Sequence, residues 1–174
     1  NTQSSSAVTC LSSGRDASGT GPLLVGGNAH GDLFLTDVRC ASGLVTTAQC
    51  HSHKVVNAFL TTHSPHTLMS GSTAGDIKWW DIRKGISQPF RVVHSAKGSV
   101  TALVGHPNQP LVASGSVNQA IEIFNSTSGE QLNLLKYQSS FLGHRIPPVS
   151  CLEFHPFHTL LAVGSTDSTI SLYK

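Results

Sequence analysis

The chain has 174 residues, enough for one domain, and 39% of them are hydrophobic while only 11% are charged. This balance excludes a disordered charged tail, and a formal net charge of +2 without any basic cluster argues against a nucleic-acid groove. Apolar runs reach only about five residues, far fewer than the roughly 20 that a membrane span needs. Because the first residue is Asn1, we expect the chain to be a piece of a longer protein.

Four segments, in chain order, repeat one pattern: an apolar run, a glycine, a short polar turn and a second, alternating run. The segments begin at Leu23, Thr67, Leu111 and Leu160. The pattern assigns their anchoring glycines as Gly26, Gly71, Gly115 and Gly164. The intervals of 45, 44 and 49 residues are typical of the four-stranded blades of a WD-repeat propeller.

Each unit is predicted to contain four strands, with a His-Pro turn after the first strand and a Gly/Asp/Asn turn after the second. The predicted blades cover residues 7–50, 53–93, 99–137 and 149–174, and the last blade stops after its third strand. The fold class is therefore all-β, a partial propeller over 1–174. We expect it to belong to a larger, seven-bladed ring, and a small propeller of four blades is the alternative. Its open end faces are expected to bind another copy or further blades.

The two adjacent tryptophans of "GDIKWWDIR" are the most distinctive feature of the second unit. Trp80 occupies the tryptophan position of the WD dipeptide, where the other units have Thr36, Phe124 and Tyr173. Trp79 precedes it, at the position of Leu35, Ile123 and Leu172. We expect both rings to pack between blades, and exposure of Trp79 at a binding face is the alternative.

A polar network of loop histidine, strand serine, turn aspartate and tryptophan is expected inside such blades. The second unit supplies His51 or His53, Ser70 and Trp80, but Ala74 stands where the aspartate belongs. The loop histidine of the third unit is predicted to be His94. The fourth unit supplies His144 and Asp167, with Tyr173 in place of the tryptophan.

The ten histidines raise the possibility of a zinc site. The candidate ligands are His51, His53, His63 and His66. No carboxylate or cysteine pattern completes a ligand set, so structural roles are favoured, and His106 and His155 are assigned to His-Pro turns. No catalytic, cofactor-binding or metal-ligating residue is assigned, no cofactor is expected, and the partner-binding residues stay unknown.

The four cysteines are widely spaced and contain no C-x-x-C pair. They are Cys10, Cys40, Cys50 and Cys151. This spacing does not suit a zinc or redox motif, and it favours a reducing compartment. We expect all four thiols to be small buried hydrophobic side chains.

The last two units resemble the C-terminal propeller of the raptor family, the scaffold subunits of TOR complex 1. The resemblance is carried by "ASGSVNQ" from Ala113, "GEQLNLLKY" from Gly129, "VSCLEFHP" from Val149 and the ending "AVGSTDSTISLY". It implies a non-catalytic scaffold that helps to recruit substrates to TOR kinase in growth and nutrient signalling. It also implies a cytoplasmic protein that is recruited to the lysosome or vacuole surface, with protein partners and neither nucleic-acid binding nor membrane insertion.

An unrelated WD-repeat peptide receptor is the alternative function, either a ubiquitin-ligase substrate adaptor or a histone-peptide reader. Such a receptor would use a mouth that brings Trp79, Arg83 and Arg91 together with a loop acid at one end of the ring. Burial of Trp79 between blades would remove the best aromatic side chain of that mouth. An enzyme is not expected, because no nucleophile–base pair or metal-ligand set is present.

Overall fold

The computed structural model describes residues 6–15, 22–39, 44–64, 66–95, 98–136 and 147–174, and these form four antiparallel sheets, called blades one to four. The strands of blades one and two are β1 Val8–Arg15, β2 Pro22–Asn28, β3 Asp32–Asp37, β4 Leu44–Gln49, β5 Val55–Leu60, β6 Thr67–Ser72, β7 Asp76–Asp81 and β8 Arg91–His94. Those of blades three and four are β9 Val100–Gly105, β10 Leu111–Ser116, β11 Ala120–Asn125, β12 Gln131–Lys136, β13 Val149–Phe154, β14 Leu161–Ser165 and β15 Ile170–Tyr173.

Every blade is a simple meander in which consecutive strands are neighbours, and the described part of blade four has three strands. Successive blades meet through their first strands, β1, β5, β9 and β13. Side chains also bond across these contacts: the Thr9 hydroxyl donates to the Val55 carbonyl at 2.6 Å, and the Thr101 hydroxyl donates to the Val149 carbonyl at 2.7 Å. The predicted propeller of WD-type blades is confirmed, with three strands of blade four among the described residues.

Strand pairing corrects one position of the repeat. Gly71 pairs with Ile77, and its counterpart in blade one is Gly27, which pairs with Leu33. The predicted anchor Gly26 is wrong by one residue, because two consecutive glycines satisfy the sequence pattern equally well. A Cβ atom on Gly27 would lie 2.5 Å from Cβ of Val55, so this glycine is required for blade two to approach blade one.

The turn between the second and third strands of a blade positions the loop that leads into the next blade. Gly31 and Gly75 have φ of +94° and +91°, which side-chain-bearing residues rarely adopt. The Gly31 carbonyl accepts hydrogen bonds from the backbone N–H groups of Cys50 and His51 at 3.0 and 2.9 Å. This turn of blade one thereby fixes the loop that enters blade two, including the ring of His51.

The core lies in three seams between blades, since both faces of each inner blade are covered. The first seam, between blades one and two, buries Val25, Leu33, Leu35, Cys50, Val55, Ala58, Leu68, Trp80 and Ile86. The second seam, between blades two and three, buries Met69, Ile77, Trp79, Val100, Leu103, Val112 and Phe124. The third seam, between blades three and four, buries Ala102, Ala113, Ile121, Val149, Leu152, Phe154, Leu161 and Val163.

The His-Pro turns connect first and second strands, as predicted. The backbone N–H of His106 donates to the Leu111 carbonyl at 2.8 Å, and Nδ1 of its ring accepts from the Asn108 N–H at 3.0 Å. His155 repeats the pattern with the Leu160 carbonyl and the Phe157 N–H. Both histidines therefore stabilise the turns in which they lie.

The two outermost faces expose apolar side chains. Ile170 and Leu172 of blade four are 79% and 65% exposed, and Val8 and Leu11 of blade one are 63% and 62% exposed. The equivalents of these four positions in the inner blades lie inside the seams. The described part of the chain contains no helix that is long and apolar enough to cross a membrane.

Candidate functional site

Blade two contains a complete polar network around Trp80. The Trp80 Nε1–H donates to the Ser70 hydroxyl at 2.8 Å, and the Ser70 hydroxyl lies 2.7 Å from Nε2 of His51. Nδ1 of His51 lies 2.8 Å from a carboxylate oxygen of Asp76. A neutral His51 that carries its proton on Nδ1 satisfies every bond of this chain. The network therefore satisfies the hydrogen-bonding groups of these buried side chains. Its role is structural, because its members bond to one another.

Asp76 is the aspartate of this network, which corrects the prediction that Ala74 occupies its place. Asp76 is the first residue of β7 and follows the turn instead of lying within it. Burial of its carboxyl opposes ionisation, but hydrogen bonds from His51 and Ser72 hold the pKa of Asp76 well below its usual value. Nζ of Lys78 also lies 3.1 Å from the carboxylate. Sequence pattern offered the signal, since Gly31–Asp32 and Gly75–Asp76 share the same dipeptide.

Of the two histidines proposed for this loop, only His51 enters the network. His51 is 3% exposed, whereas His53 is exposed and its ring lies 2.9 Å from the Ser52 hydroxyl. The chain bends at residues 52 and 53, so the two rings do not share one face, as they would in an extended segment.

Blade three replaces this network with a different one. The backbone N–H of Ser95 donates to the Gly75 carbonyl, as that of Cys50 does to Gly31, so Ser95 is the counterpart of Cys50. The predicted loop position of His94 is wrong, because His94 ends β8 and is the counterpart of Gln49, two residues before His51. The Ser95 hydroxyl donates to the buried Glu122 carboxylate at 2.5 Å. Phe124 stands in place of Trp80.

The network predicted for blade four involves His144, which lies outside the described residues. Asp167 is exposed in its turn, where its carboxylate accepts from the Thr169 N–H and hydroxyl. Cys40 also lies outside the described residues.

Trp79 and Trp80 fill two different seams. Both are at most 1% exposed, with Trp80 in the first seam and Trp79 in the second. The Trp79 Nε1–H donates to the Ser126 carbonyl of blade three at 2.7 Å. The predicted packing of Trp79 between blades is confirmed, so the receptor mouth of the alternative function loses its aromatic side chain.

Arg83 and Arg91, the other members of that mouth, bind turns of the chain. The Arg83 guanidinium donates to the Asp81 carboxylate at 2.9 and 2.7 Å, and this contact lowers the pKa of Asp81 to about 2. Nη1 of Arg91 donates to the Thr127 carbonyl at 2.8 Å. Asp37 and Arg39 repeat the Asp81–Arg83 arrangement in blade one, so the pair belongs to the repeat.

Among the described residues, no three His, Cys, Asp or Glu side chains are grouped so that they could hold a metal ion. Nδ1 of His63 lies 3.3 Å from the Thr62 hydroxyl, and His51 is occupied by Ser70 and Asp76. The structure therefore gives no cluster that combines the proposed zinc ligands.

The thiols differ in exposure more than the sequence predicted. Cys50 is buried and its Sγ lies 3.2 Å from the Ile86 carbonyl, and burial raises the pKa of Cys50 to about 11. Cys10 is half-buried, and burial raises its pKa as well. Cys151 is exposed, so the prediction of a buried side chain is wrong for this residue. Cys151 pairs with Gly164 on the outward face of blade four, which no further sheet covers.

Comparisons with known proteins agree with this geometry. The family "WD domain, G-beta repeat" matches residues 87–125 and 135–174. The chain is 39% identical over 174 residues to "Regulatory-associated protein of TOR 1" of Arabidopsis thaliana. This match covers 98% of the chain and 13% of that protein. It is 44% identical over 142 residues to "Regulatory-associated protein of TOR 2" of Oryza sativa subsp. japonica, covering 79% of the chain and 10% of that protein.

A solved structure shares the same fold over nearly the whole chain. The crystal structure of Chaetomium thermophilum Raptor superimposes with a TM-score of 0.80 at 27% identity, covering 98% of this chain and 16% of that one. The chain thus spans about a tenth to a sixth of the length of the proteins that it matches.

Proposed function

Since this chain is a WD-repeat region of the raptor family, we propose that it acts as a scaffold in TOR complex 1. In this role it supports assembly with TOR kinase and the recruitment of substrates in nutrient and growth signalling. The observation that carries the proposal is the 39% identity to a regulatory-associated protein of TOR along the chain, together with the Raptor fold.

The scaffold is not an enzyme. Among the described residues, the buried polar groups of blades two and three are engaged in internal bonds: His51 with Ser70 and Asp76, and Glu122 with Ser95. Its partners are proteins, namely TOR kinase, other subunits of the complex and substrates. The protein works in the cytoplasm and is recruited to the lysosome or vacuole surface.

The blades extend over about residues 7–50, 53–93, 99–137 and 149–174 and belong to a larger ring of seven blades. This proposal is supported by the exposed apolar side chains of the two end faces, above all Ile170 and Leu172. Burying an aliphatic side chain of this size is worth about 1.5–3 kcal/mol, so neighbouring blades would stabilise the region substantially.

Affinity purification of the full-length parent protein tests the assignment. We expect TOR kinase to be recovered with the wild-type parent, and less kinase with a parent in which Ile170 and Leu172 are changed to Asp, because charges there would keep another blade from packing. The control is Asp167→Asn, in an exposed turn of the same blade. Absence of TOR kinase from the wild-type preparation would reject the scaffold assignment.

A further inference from the structure

One register position distinguishes the second seam from its neighbours. Leu60, Gly105 and Phe154 end the first strands of blades two, three and four, and they pair with Leu68, Val112 and Leu161. These three pairs are therefore equivalent. The position carries a large apolar side chain in blades two and four, and a glycine in blade three.

The side chains at this position fill the first and third seams. Leu60 packs on the cluster of the first seam, where a Cβ on Gly14 would lie 2.6 Å from its Cδ1. Phe154 is 5% exposed, and its ring centroid lies 5.2 Å from that of His106 in blade three. In both seams the chain closes the end of the seam with its own apolar group.

The second seam is closed only in part. The ring of Phe59 lies over Gly105, since a Cβ built there would be 2.5 Å from Cε2 of Phe59. Beside this ring a cavity of about 210 Å³ remains, open at the end of the blades that carries the His-Pro turns. Its walls come from blades two and three: Asn57, Phe59, Leu60, Thr61, Thr62, His63, Val104, Gly105, His106, Pro107, Gln109, Val112 and Ser126.

The lining favours an uncharged apolar guest. No Asp, Glu, Lys or Arg side chain is among the lining residues. The deeper polar groups are already bonded, because the Asn57 amide donates to the Leu103 carbonyl at 2.7 Å and the Ser126 carbonyl accepts from Trp79. Hydroxyl, imidazole and amide groups of Thr62, His63 and Gln109 lie among the lining residues contributed by the turns, where they can bond a peptide backbone.

We propose that this cavity receives a phenylalanine side chain from a partner protein, which completes the second seam as Phe154 completes the third. The Phe59 ring supplies an aromatic wall for an edge-to-face contact, and the site is continuous with the apolar second seam. The inference rests on the proposed scaffold function only in that the guest belongs to another protein.

Nuclear magnetic resonance of the 174-residue chain tests the proposal, with N-acetyl-phenylalanine amide as the probe and N-acetyl-glycine amide as its control. We expect saturable shifts at the amides of Thr62, His63 and Gly105 with the phenylalanine probe alone. Thr62→Trp at the rim should weaken binding at least tenfold, while Thr166→Trp, an equally exposed threonine in a turn at the other end of the blades, should not.

A second variant changes the two residues that contact each other beside the cavity, Phe59 and Gly105. By strand pairing, Ser12 and Leu60 of the first seam correspond to Phe59 and Gly105 of the second. Phe59→Ala combined with Gly105→Leu therefore exchanges the large and small residues and gives the second seam the order of sizes found in the first. We expect it to lose probe binding, and Thr62→Trp answers the same question if the exchange fails to fold. Absent or non-saturable shifts, shifts located elsewhere, or unchanged binding in Thr62→Trp would overturn the proposal. These outcomes are independent of TOR kinase recovery, so the two proposals can fail separately.

Discussion

Blades two and three have the same strand register but solve the same burial problem differently. In blade two the pairing of Leu68 with Trp80 is accompanied by a four-member polar network, whereas in blade three Val112 pairs with Phe124. The indole N–H of Trp80 must be bonded when buried, so Ser70, His51 and Asp76 accompany it. The phenyl ring of Phe124 has no polar atom that needs a hydrogen-bond partner. The comparison shows that the fold needs the apolar volume at this position, while the bonded indole N–H is particular to blade two.

Removing the two central rings gives the largest expected difference between the blades. Trp80→Ala should lower the free energy of unfolding by about 3–5 kcal/mol, because it opens a cavity in the first seam. Phe124→Ala should cost about 1 kcal/mol less than this, since no polar partner is left without its bond. Urea unfolding followed by circular dichroism measures both.

Trp80→Phe is the control for this pair, because it gives blade two the residue of blade three. It should lose the bond to Ser70 while keeping most of the packing, and so lie between wild type and Trp80→Ala. Equal losses in Trp80→Ala and Phe124→Ala would contradict the idea that the network adds stability to blade two.

Side chains of the loops that enter blades two and three offer the next largest effect. His51→Ala should cost about 2–3 kcal/mol, because it removes a buried ring and one hydrogen bond each from Ser70 and Asp76. Ser95→Ala in blade three should cost about 1 kcal/mol, since it removes one hydroxyl bond to Glu122. The same unfolding experiment measures both variants. His53→Ala, which removes an exposed ring, is the control and should leave the midpoint unchanged.

Acid should lower the stability that the polar network adds to blade two. This effect should be smaller than those of the ring and loop variants. The folded pKa of Asp76 is lowered, so its contribution to stability is complete above the unfolded pKa of about 3.9 and is lost as pH falls towards the folded pKa. The difference in unfolding free energy between wild type and Asp76→Asn should therefore be steady down to about pH 5 and shrink between about pH 5 and 2. A difference that is the same at pH 3 as at pH 7 would rule this out.

Asp81→Asn is the matched control for the acid experiment. Its carboxylate also has a lowered pKa, from its bond with Arg83, but it ends β7 and its partner Arg83 is exposed. Solvent screens this pair, so its variant should change stability less than Asp76→Asn at every pH.

The sequence predicted the elements of the fold because period-two alternation and glycine turns repeat at a nearly constant interval. The Trp80–Ser70 bond was also predictable, since the ten-residue separation places both on paired strands. The choice between His51 and His53 was not, because the bend of the loop at residues 52 and 53 decides which ring enters the seam. Asp76 was missed because it lies just beyond the turn, in a strand.

The cavity beside Phe59 could not have been predicted from the repeat alone. It depends on which side chains face each other across two blades, and the sequence does not state the volume left between Phe59 and Gly105. The exposure of Cys151 has a similar origin, since its face of blade four points away from blade three. Local patterns specify strands, whereas volumes between sheets depend on residues that lie about 45 positions apart.

The opposite directions of Trp79 and Trp80 have a thermodynamic consequence. One strand, β7, anchors a large ring in each of two neighbouring seams. In a linear array the coupling between units comes from such nearest-neighbour interfaces. Since β7 cannot leave one interface without disturbing the other, blades one, two and three are coupled into a single cooperative unit.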